Sequence, residues 1–247
     1  MNNNIPHIVG FGRILFFAFV FFALVPNHAL SRPACGFYAC ADRPQSEKIA
    51  PESYQSVKKR KDDFDFYVLA LSWSASFCER KGWAPKQCQS GRNPGFVVHG
   101  LWPQYAHGYP KACHALIRPP VHAIKRNINL FPDEGLARHE WRQHGTCSGK
   151  SPAAYFEDVS RAKRAINIPD DFIAPSQGRW ISPNDLLALF YKHNPGLRSG
   201  MIAINCPGNQ LAEIRLCVSK DIKAFTSCPE VSRKSCRSDM IYIPAAN

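Results

Sequence analysis

The spacing Cys-x-x-Cys occurs nowhere among the 10 cysteines of this 247-residue chain. That argues against a zinc ribbon and against a thioredoxin-type redox pair. Nor does any apolar run approach the roughly 20 residues a membrane-spanning helix needs; the unbroken run Ile14 to Val25 has only 12. Acidic residues are scarce as well. Asp and Glu number 19 against 31 Lys and Arg, a net charge of +12, which favours an anionic partner: nucleic acid, an acidic polysaccharide or an anionic membrane surface. Charge alone does not choose among them. There is no internal repeat and no low-complexity tract. Hydrophobic residues at 45% and charged residues at 20% lie near the globular average, which excludes a disordered tail and a fibre.

The cysteines are too many for a reduced cytosolic domain, and their even number suits five disulfides. The apolar run explains how they come to be oxidised. It follows Arg13 and the free amino terminus, and it leads to Pro26 and a small-residue site near Ala29 or Ser31. This is the layout of a signal peptide over 1–31, with an uncleaved anchor as the alternative. Removing it leaves a mature charge of +11 and a protein that matures in the periplasm or outside the cell. A polar leader follows over 32–60, rich in Pro and charge, and the basic run Lys58-Lys59-Arg60-Lys61 crosses its boundary with the domain. A single folded domain is expected over 61–247.

That domain opens with Phe64 to Leu71, whose β-branched and aromatic residues are apolar on both alternating faces and so predict a buried strand. Phe96-Val97-Val98-His99 predicts a second, short strand, stopped by Gly100. Ser151-Pro152 reads as an N-cap with proline in the first turn, starting a helix through Tyr155, Phe156, Val159 and Ala162. Ser182-Pro183-Asn184-Asp185 repeats the device, and Asn194-Pro195-Gly196 ends the helix it starts. Strand signals return at Met201–Asn205 and Ala212–Val218. Strands and helices without a regular βαβ rhythm predict an α+β fold.

Two segments concentrate groups that titrate near neutrality: Phe96 to Gln104, with His99, and His139 to Cys147, with His139, Glu140 and His144. If the second is helical, Glu140 and His144 lie four apart on one face, with His139 about 100° round. Histidine gives and takes protons near pH 7 unaided, so three histidines and a carboxylate are the makings of an acid–base site without metal or cofactor. A zincin needs His-Glu-x-x-His. Here the histidines are five apart, about 140° round a helix, which argues against that reading.

His99-Gly100-Leu101-Trp102-Pro103 and His139-Glu140-Trp141-Arg142-Gln143-His144-Gly145-Thr146-Cys147 resemble the two active-site signatures of the ribonuclease T2 family. Phe66 to Ser74 resembles that family's first core strand, and Leu211 to Cys217 its C-terminal strand and cysteine cluster. The resemblance covers about residues 61–243. It implies a disulfide-stapled α+β domain whose central, mainly antiparallel sheet is flanked by helices. It also implies metal-independent endonucleolytic cleavage of single-stranded RNA by a monomer, through a 2′,3′-cyclic phosphate to 3′-phosphate ends. His99 and His144 are the implied acid–base pair, in an order the sequence leaves open. His139 is implied to hold the phosphate, and Glu140 to act on a phosphoryl oxygen or keep an imidazole in place. One position departs from the family: Gln143 stands where a lysine is usual, preceded by Arg142. Either Arg142 supplies the missing charge or the rate is lower.

For the remaining candidates, each functional reading competes with a plain structural one. Trp102 matches the tryptophan with which the family stacks a base, while Trp73 and Trp141 are expected in the core. Gln104, Tyr105 and Tyr109 stand where base contacts would come, though an ordinary polar loop explains them equally. His107, His114, His122 and His193 are read as structural or solvated. Arg118, Lys125 and Arg126 are assigned nothing specific. Ten cysteines allow 945 pairings; the family pattern implies Cys78–Cys88, Cys113–Cys147, Cys206–Cys236 and Cys217–Cys228, with Cys35–Cys40 as an extra local bridge. Two other classes compete with the enzyme: a non-catalytic RNA or polyanion binder on the same scaffold, and a basic toxin acting on membranes. The chain lacks the strongly amphipathic basic helix the toxin would need.

Overall fold

The chain's structure is a computed structural model that describes residues 63–81, 86–89, 95–173 and 175–246. The apolar run at 14–25, the leader, its basic run and the Cys35–Cys40 pair lie outside those residues.

Strand β1 (Phe66–Trp73) is buried at every position except Ser72, as its two-faced apolar pattern requires. It begins two residues later than Phe64. Asp65 instead uses its carboxylate to accept the Ala106 N–H at 2.6 Å, and the Phe64 ring packs on Tyr67 at 4.6 Å. A sheet builds outward from β1 in the order β2-β1-β5-β4, with β2 at Phe96–Gln104, β4 at Ile202–Asn205 and β5 at Glu213–Ser219. Every pairing in it is antiparallel. β3 (Arg179–Ile181) and β6 (Ile241–Ile243) form a separate antiparallel pair.

The two faces of the sheet differ. Tyr67, Leu69 and Leu71 of β1, Val98 and Leu101 of β2, and Ile214, Leu216 and Val218 of β5 enter the main core. There they meet Ala137 and Trp141 of α3 (Glu134–Gln143), Tyr155, Phe156, Val159 and Ala162 of α4 (Pro152–Arg164), and Leu186 and Phe190 of α5 (Pro183–His193). Each large apolar side chain fully buried there stabilises the fold by about 1.5–3 kcal/mol. Shorter helices are α1 (Ser74–Lys81), α2 (Val121–Lys125) and α6 (Pro229–Ser232). On the opposite face Phe66, Val68, Cys217 and Cys228 make a smaller cluster, against which Trp102 and Val231 pack. This is the α+β arrangement, with its antiparallel sheet flanked by helices.

The caps form as expected. Ser151 Oγ accepts the Ala154 N–H and Ser182 Oγ the Asp185 N–H, each ahead of a proline in the first turn. Trp73 and Trp141 are core residues, their indole N–H groups donating to the Pro244 and Ile117 carbonyls. All four implied pairings, Cys78–Cys88, Cys113–Cys147, Cys206–Cys236 and Cys217–Cys228, are disulfides.

Two expectations are corrected. β2 does not stop at Gly100 but runs to Gln104, and the second signature is not one helix. α3 ends at Gln143, and His144 is its C-cap, with φ −127° and ψ −48°. Both departures shape the site.

Candidate active site

In the register of β1 with β2, Ala70 faces Gly100 and Leu71 faces Val98, so His99 is the extra residue of a bulge. A bulge re-aims a side chain and reverses the inward–outward alternation beyond it. Val98 and Leu101 thereby both reach the core, while Trp102 falls on the other face, against Val68. Gly100 is required by close approach. A Cβ there would lie 2.0 Å from Glu140 Oε2 and 2.3 Å from Trp102 Nε1. Through that gap the Trp102 indole N–H donates to Glu140 Oε2 at 2.7 Å.

α3 lies against β2 and supplies the second half. Its Trp141 goes into the core while Glu140 turns to Trp102 and is itself buried. His144 closes the last turn, donating its backbone N–H to the Glu140 carbonyl at 2.9 Å. The chain continues under it through Gly145, where a Cβ would meet Trp141 Cε3 at 2.5 Å and Tyr155 at 2.9 Å. Tyr155 in turn donates its hydroxyl to the Leu101 carbonyl at 2.9 Å, tying α4 to β2.

Trp102 is the common neighbour of the two signatures. Its ring centroid is 5.2 Å from that of His99 and 5.3 Å from that of His144. Beside it opens a cleft of about 460 Å³, whose lining includes Gln104, Tyr109, Lys111, His139, Gln143 and His144. Of the expected base contacts, Gln104 and Tyr109 therefore line the cleft, although Gln104 spends its amide N–H on the Pro103 carbonyl. Trp102 has one edge committed to Glu140 and one face under the Arg215 guanidinium, 5.4 Å away. Arg142 does not join them: it is exposed and absent from the lining. None of His107, His114, His122 and His193, nor of Arg118, Lys125 and Arg126, lines this cleft.

The charge comes instead from residues sequence reasoning passed over. Lys111, Arg215 and Lys234 all line the cleft. Lys111 sits on a loop held to the end of α3 in two ways: the Ala112 N–H donates to the Gln143 carbonyl at 2.8 Å, and Cys113 is bridged to Cys147. Glu213, buried on β5, is the other omission. It accepts from Arg215 Nε at 2.7 Å and lies 2.6 Å from His99 Nδ1. A signal for both existed in Glu213-Ile214-Arg215-Leu216-Cys217-Val218. With Ile214, Leu216 and Val218 inward, strand alternation puts Glu213 and Arg215 on the opposite face.

The electrostatics separate the histidines. Burial alone would lower the His99 pKa, but its hydrogen bond to Glu213 and the charges of Glu213 and Glu140 outweigh it, so the pKa is raised. His144 is pushed down to about 4, by burial first and then by the charges of His99, His139 and Lys111. Its Nδ1 is buried with no partner, which suits a neutral ring. His139 is lowered by partial burial and by Arg142, His99 and Lys111. Glu140 rises to about 7, mainly through burial. Among the described residues no three His, Cys, Asp or Glu side chains are arranged to hold a metal ion.

Comparison with known proteins gives a consistent picture. Residues 64–228 match the profile of the ribonuclease T2 family. A ribonuclease of Aeromonas hydrophila is 33% identical over 199 residues, covering 75% of this chain and 87% of that one. Ribonuclease I of Escherichia coli K12 is 27% identical over 213 residues, covering 66% and 78%. Among solved structures, ribonuclease NT in complex with 5′-AMP superposes with a TM-score of 0.58 at 25% identity, over 74% of this chain and 99% of that one.

Proposed function

The chain belongs to the ribonuclease T2 family and is a T2-type ribonuclease; on that premise we propose that it cuts single-stranded RNA endonucleolytically by histidine acid–base catalysis, with His144 as base and His99 as acid. The supporting observation is that two imidazoles flank one tryptophan at the edge of a cationic cleft, in environments that favour opposite protonation states.

His144, neutral near pH 7, takes the proton of a ribose 2′-OH. The 2′-oxygen bonds to phosphorus, and the bond from phosphorus to the 5′-oxygen breaks. His99, protonated, gives its proton to the departing 5′-oxygen. The product is a 2′,3′-cyclic phosphate. In the second step the roles reverse: His99 removes a proton from water, the water oxygen bonds to phosphorus, the bond from phosphorus to the 2′-oxygen breaks, and His144 protonates that oxygen to leave a 3′-phosphate. Each positioned acid or base contributes about 10²–10⁴ in rate. Charge building on the phosphoryl oxygens meets Lys111 and Arg215, whose attraction is strong in a cleft partly closed to water, while His139 offers a ring N–H as hydrogen-bond donor. Gln143 offers a hydrogen bond there without charge. A chain lacking the 2′-OH has no nucleophile, so DNA is not a substrate.

The remaining parts of the proposal concern the life of the protein. Residues 1–31 act as a cleaved signal and 32–60 as a leader, and the domain from 61 works as a monomer in the periplasm or outside the cell, free of the membrane. Among the described residues no helix is long and apolar enough to cross one. The amino-terminal sequence of exported protein tests the cleavage.

The reaction is tested by single-turnover digestion of an RNA oligonucleotide in EDTA, with wild type beside His99→Ala and His144→Ala and product ends read by mass. Cyclic phosphate from the wild type, with each variant slower by about 10² or more, is the expected result. RNA left intact but retarded by the wild type would overturn the mechanism in favour of a binder.

A further inference from the structure

The geometry points to Glu213 as a positioning residue: its buried carboxylate grips His99 through Nδ1, holding the ring in one orientation and one tautomer so that Nε2 alone exchanges the catalytic proton. This rests on the acid role proposed for His99 and adds a group from outside both active-site signatures.

The strand places it. Glu213 pairs with Ser72 of β1, and Arg215 with Ala70, so both project from the sheet face that carries Trp102 and Val68. Both carboxylate oxygens are occupied. Oε2 lies 2.6 Å from His99 Nδ1 and 3.4 Å from the Ser72 hydroxyl, while Oε1 accepts from Arg215 Nε at 2.7 Å. A carboxylate fixed by an arginine and a neighbouring strand has little freedom, and the imidazole bonded to it inherits that order. His99 needs such a tether more than an ordinary strand residue would. It is the unpaired residue of the bulge, and its side chain is 38% exposed.

The bond also fixes the proton. An ionised carboxylate only accepts, so Nδ1 is the atom that carries hydrogen in both charge states of the ring. Nε2, 3.7 Å from Glu140 Oε1, is left to give and receive. Glu213 remains ionised. Burial opposes its charge, but the bond and charge of His99 and the Arg215 guanidinium outweigh burial and lower its pKa. The groups facing His99 are thus Glu213 and Arg215 from β5 and Glu140 from α3, with the rings of His139 and His144 beyond. Arg215 acts against the imidazolium. Neutralising Glu213 would leave Glu140 as the one carboxylate set against that opposition and against burial.

The test uses the full-length protein with intact disulfides and compares wild type, Glu213→Gln and Glu213→Asp. Two quantities are read: the pH dependence of kcat and KM on an RNA oligonucleotide, and the titration of the His99 ring by NMR without RNA. In Glu213→Gln the His99 titration and the alkaline limb of kcat move together to lower pH. At neutral pH kcat falls about 10–100-fold, as for other residues that orient a reacting group, with KM little changed. Glu213→Asp keeps the charge on a shorter stem, so its alkaline limb stays near the wild-type position while kcat still falls. Should Glu213→Gln fail to fold, the aspartate variant carries the test, and wild-type kcat in it would sink the proposal. A folded Glu213→Gln protein with an unmoved His99 titration would sink it too. The titration needs no turnover. A shift in an inactive wild-type background therefore supports the Glu213 tether while overturning the ribonuclease mechanism.

Discussion

Two carboxylates face His99, whereas His144 is shifted by burial and by its neighbours His99, His139 and Lys111. The consequence at the scale of single residues is a pH profile with assignable limbs. A base must be unprotonated, so kcat/KM falls as pH drops through about 4, the His144 value. An acid must be protonated, so it falls again as pH rises through the His99 value, which lies above the ordinary 6.5. In His99→Ala the alkaline limb should disappear while the acidic one remains; loss of the acidic limb instead would reverse the assignment. Gly100 gives a second prediction. In Gly100→Ala the new methyl collides with Glu140 and Trp102, forcing their hydrogen bond apart. Overpacking of this kind costs about 1–3 kcal/mol, to be read as a lowered Tm together with a loss of kcat. His99, His139, Glu140 and His144 were legible in sequence because the signatures carry them. The direction in which each titrates was not, since Glu213 is 114 residues from His99.

Among elements, the informative case is the C-terminal boundary of α3. A helical reading of His139 to Cys147 puts Glu140 and His144 on one face. The observed helix stops at Gln143, and its end is bound by the Cys113–Cys147 disulfide to the loop carrying Lys111. Replacing both of those cysteines by alanine should cost about 2–5 kcal/mol and lower kcat as well, because the loop cation and His144 loosen together. Removing Cys78–Cys88 should lower Tm and spare kcat, since neither α1 nor the turn bearing Cys88 lines the cleft. Thermal unfolding and kcat measured on both double variants check this, and equal losses of activity would refute the link. The helices starting at Pro152 and Pro183 were readable to the residue because a cap is local chemistry. The bulge at His99 was not, because it exists only in the register between β1 and β2.

For the whole molecule, the charge of +12 matters through where it gathers. Lys111, Arg215 and Lys234 come from a loop, a strand and the C-terminal segment to one cleft. If these three neutralise phosphates, log affinity for single-stranded RNA falls with log salt at a slope of about −2. Lys111→Gln should reduce that slope by roughly 0.7, measured by titrating fluorescent RNA onto His144→Ala protein so that no cleavage intervenes. An unchanged slope would place Lys111 off the path of the phosphates. Arg142, the nearer candidate in sequence, is predicted to leave the slope almost untouched, because it is exposed and does not line the cleft.

The sequence by itself determined the fold class, the starts of α4 and α5, the core tryptophans and the candidate residues of the two signatures, because these depend on side-chain period, local capping and short contiguous motifs. The family resemblance supplied the four disulfide pairings found among the described residues. Only the tertiary structure decided which cation stands in the cleft beside Gln143, which carboxylate lies against His99 and in which direction each histidine's surroundings move its pKa. Those outcomes depend on distances between segments far apart in the chain. Coulomb energy and desolvation follow distance and burial, and neither is written in the order of the residues.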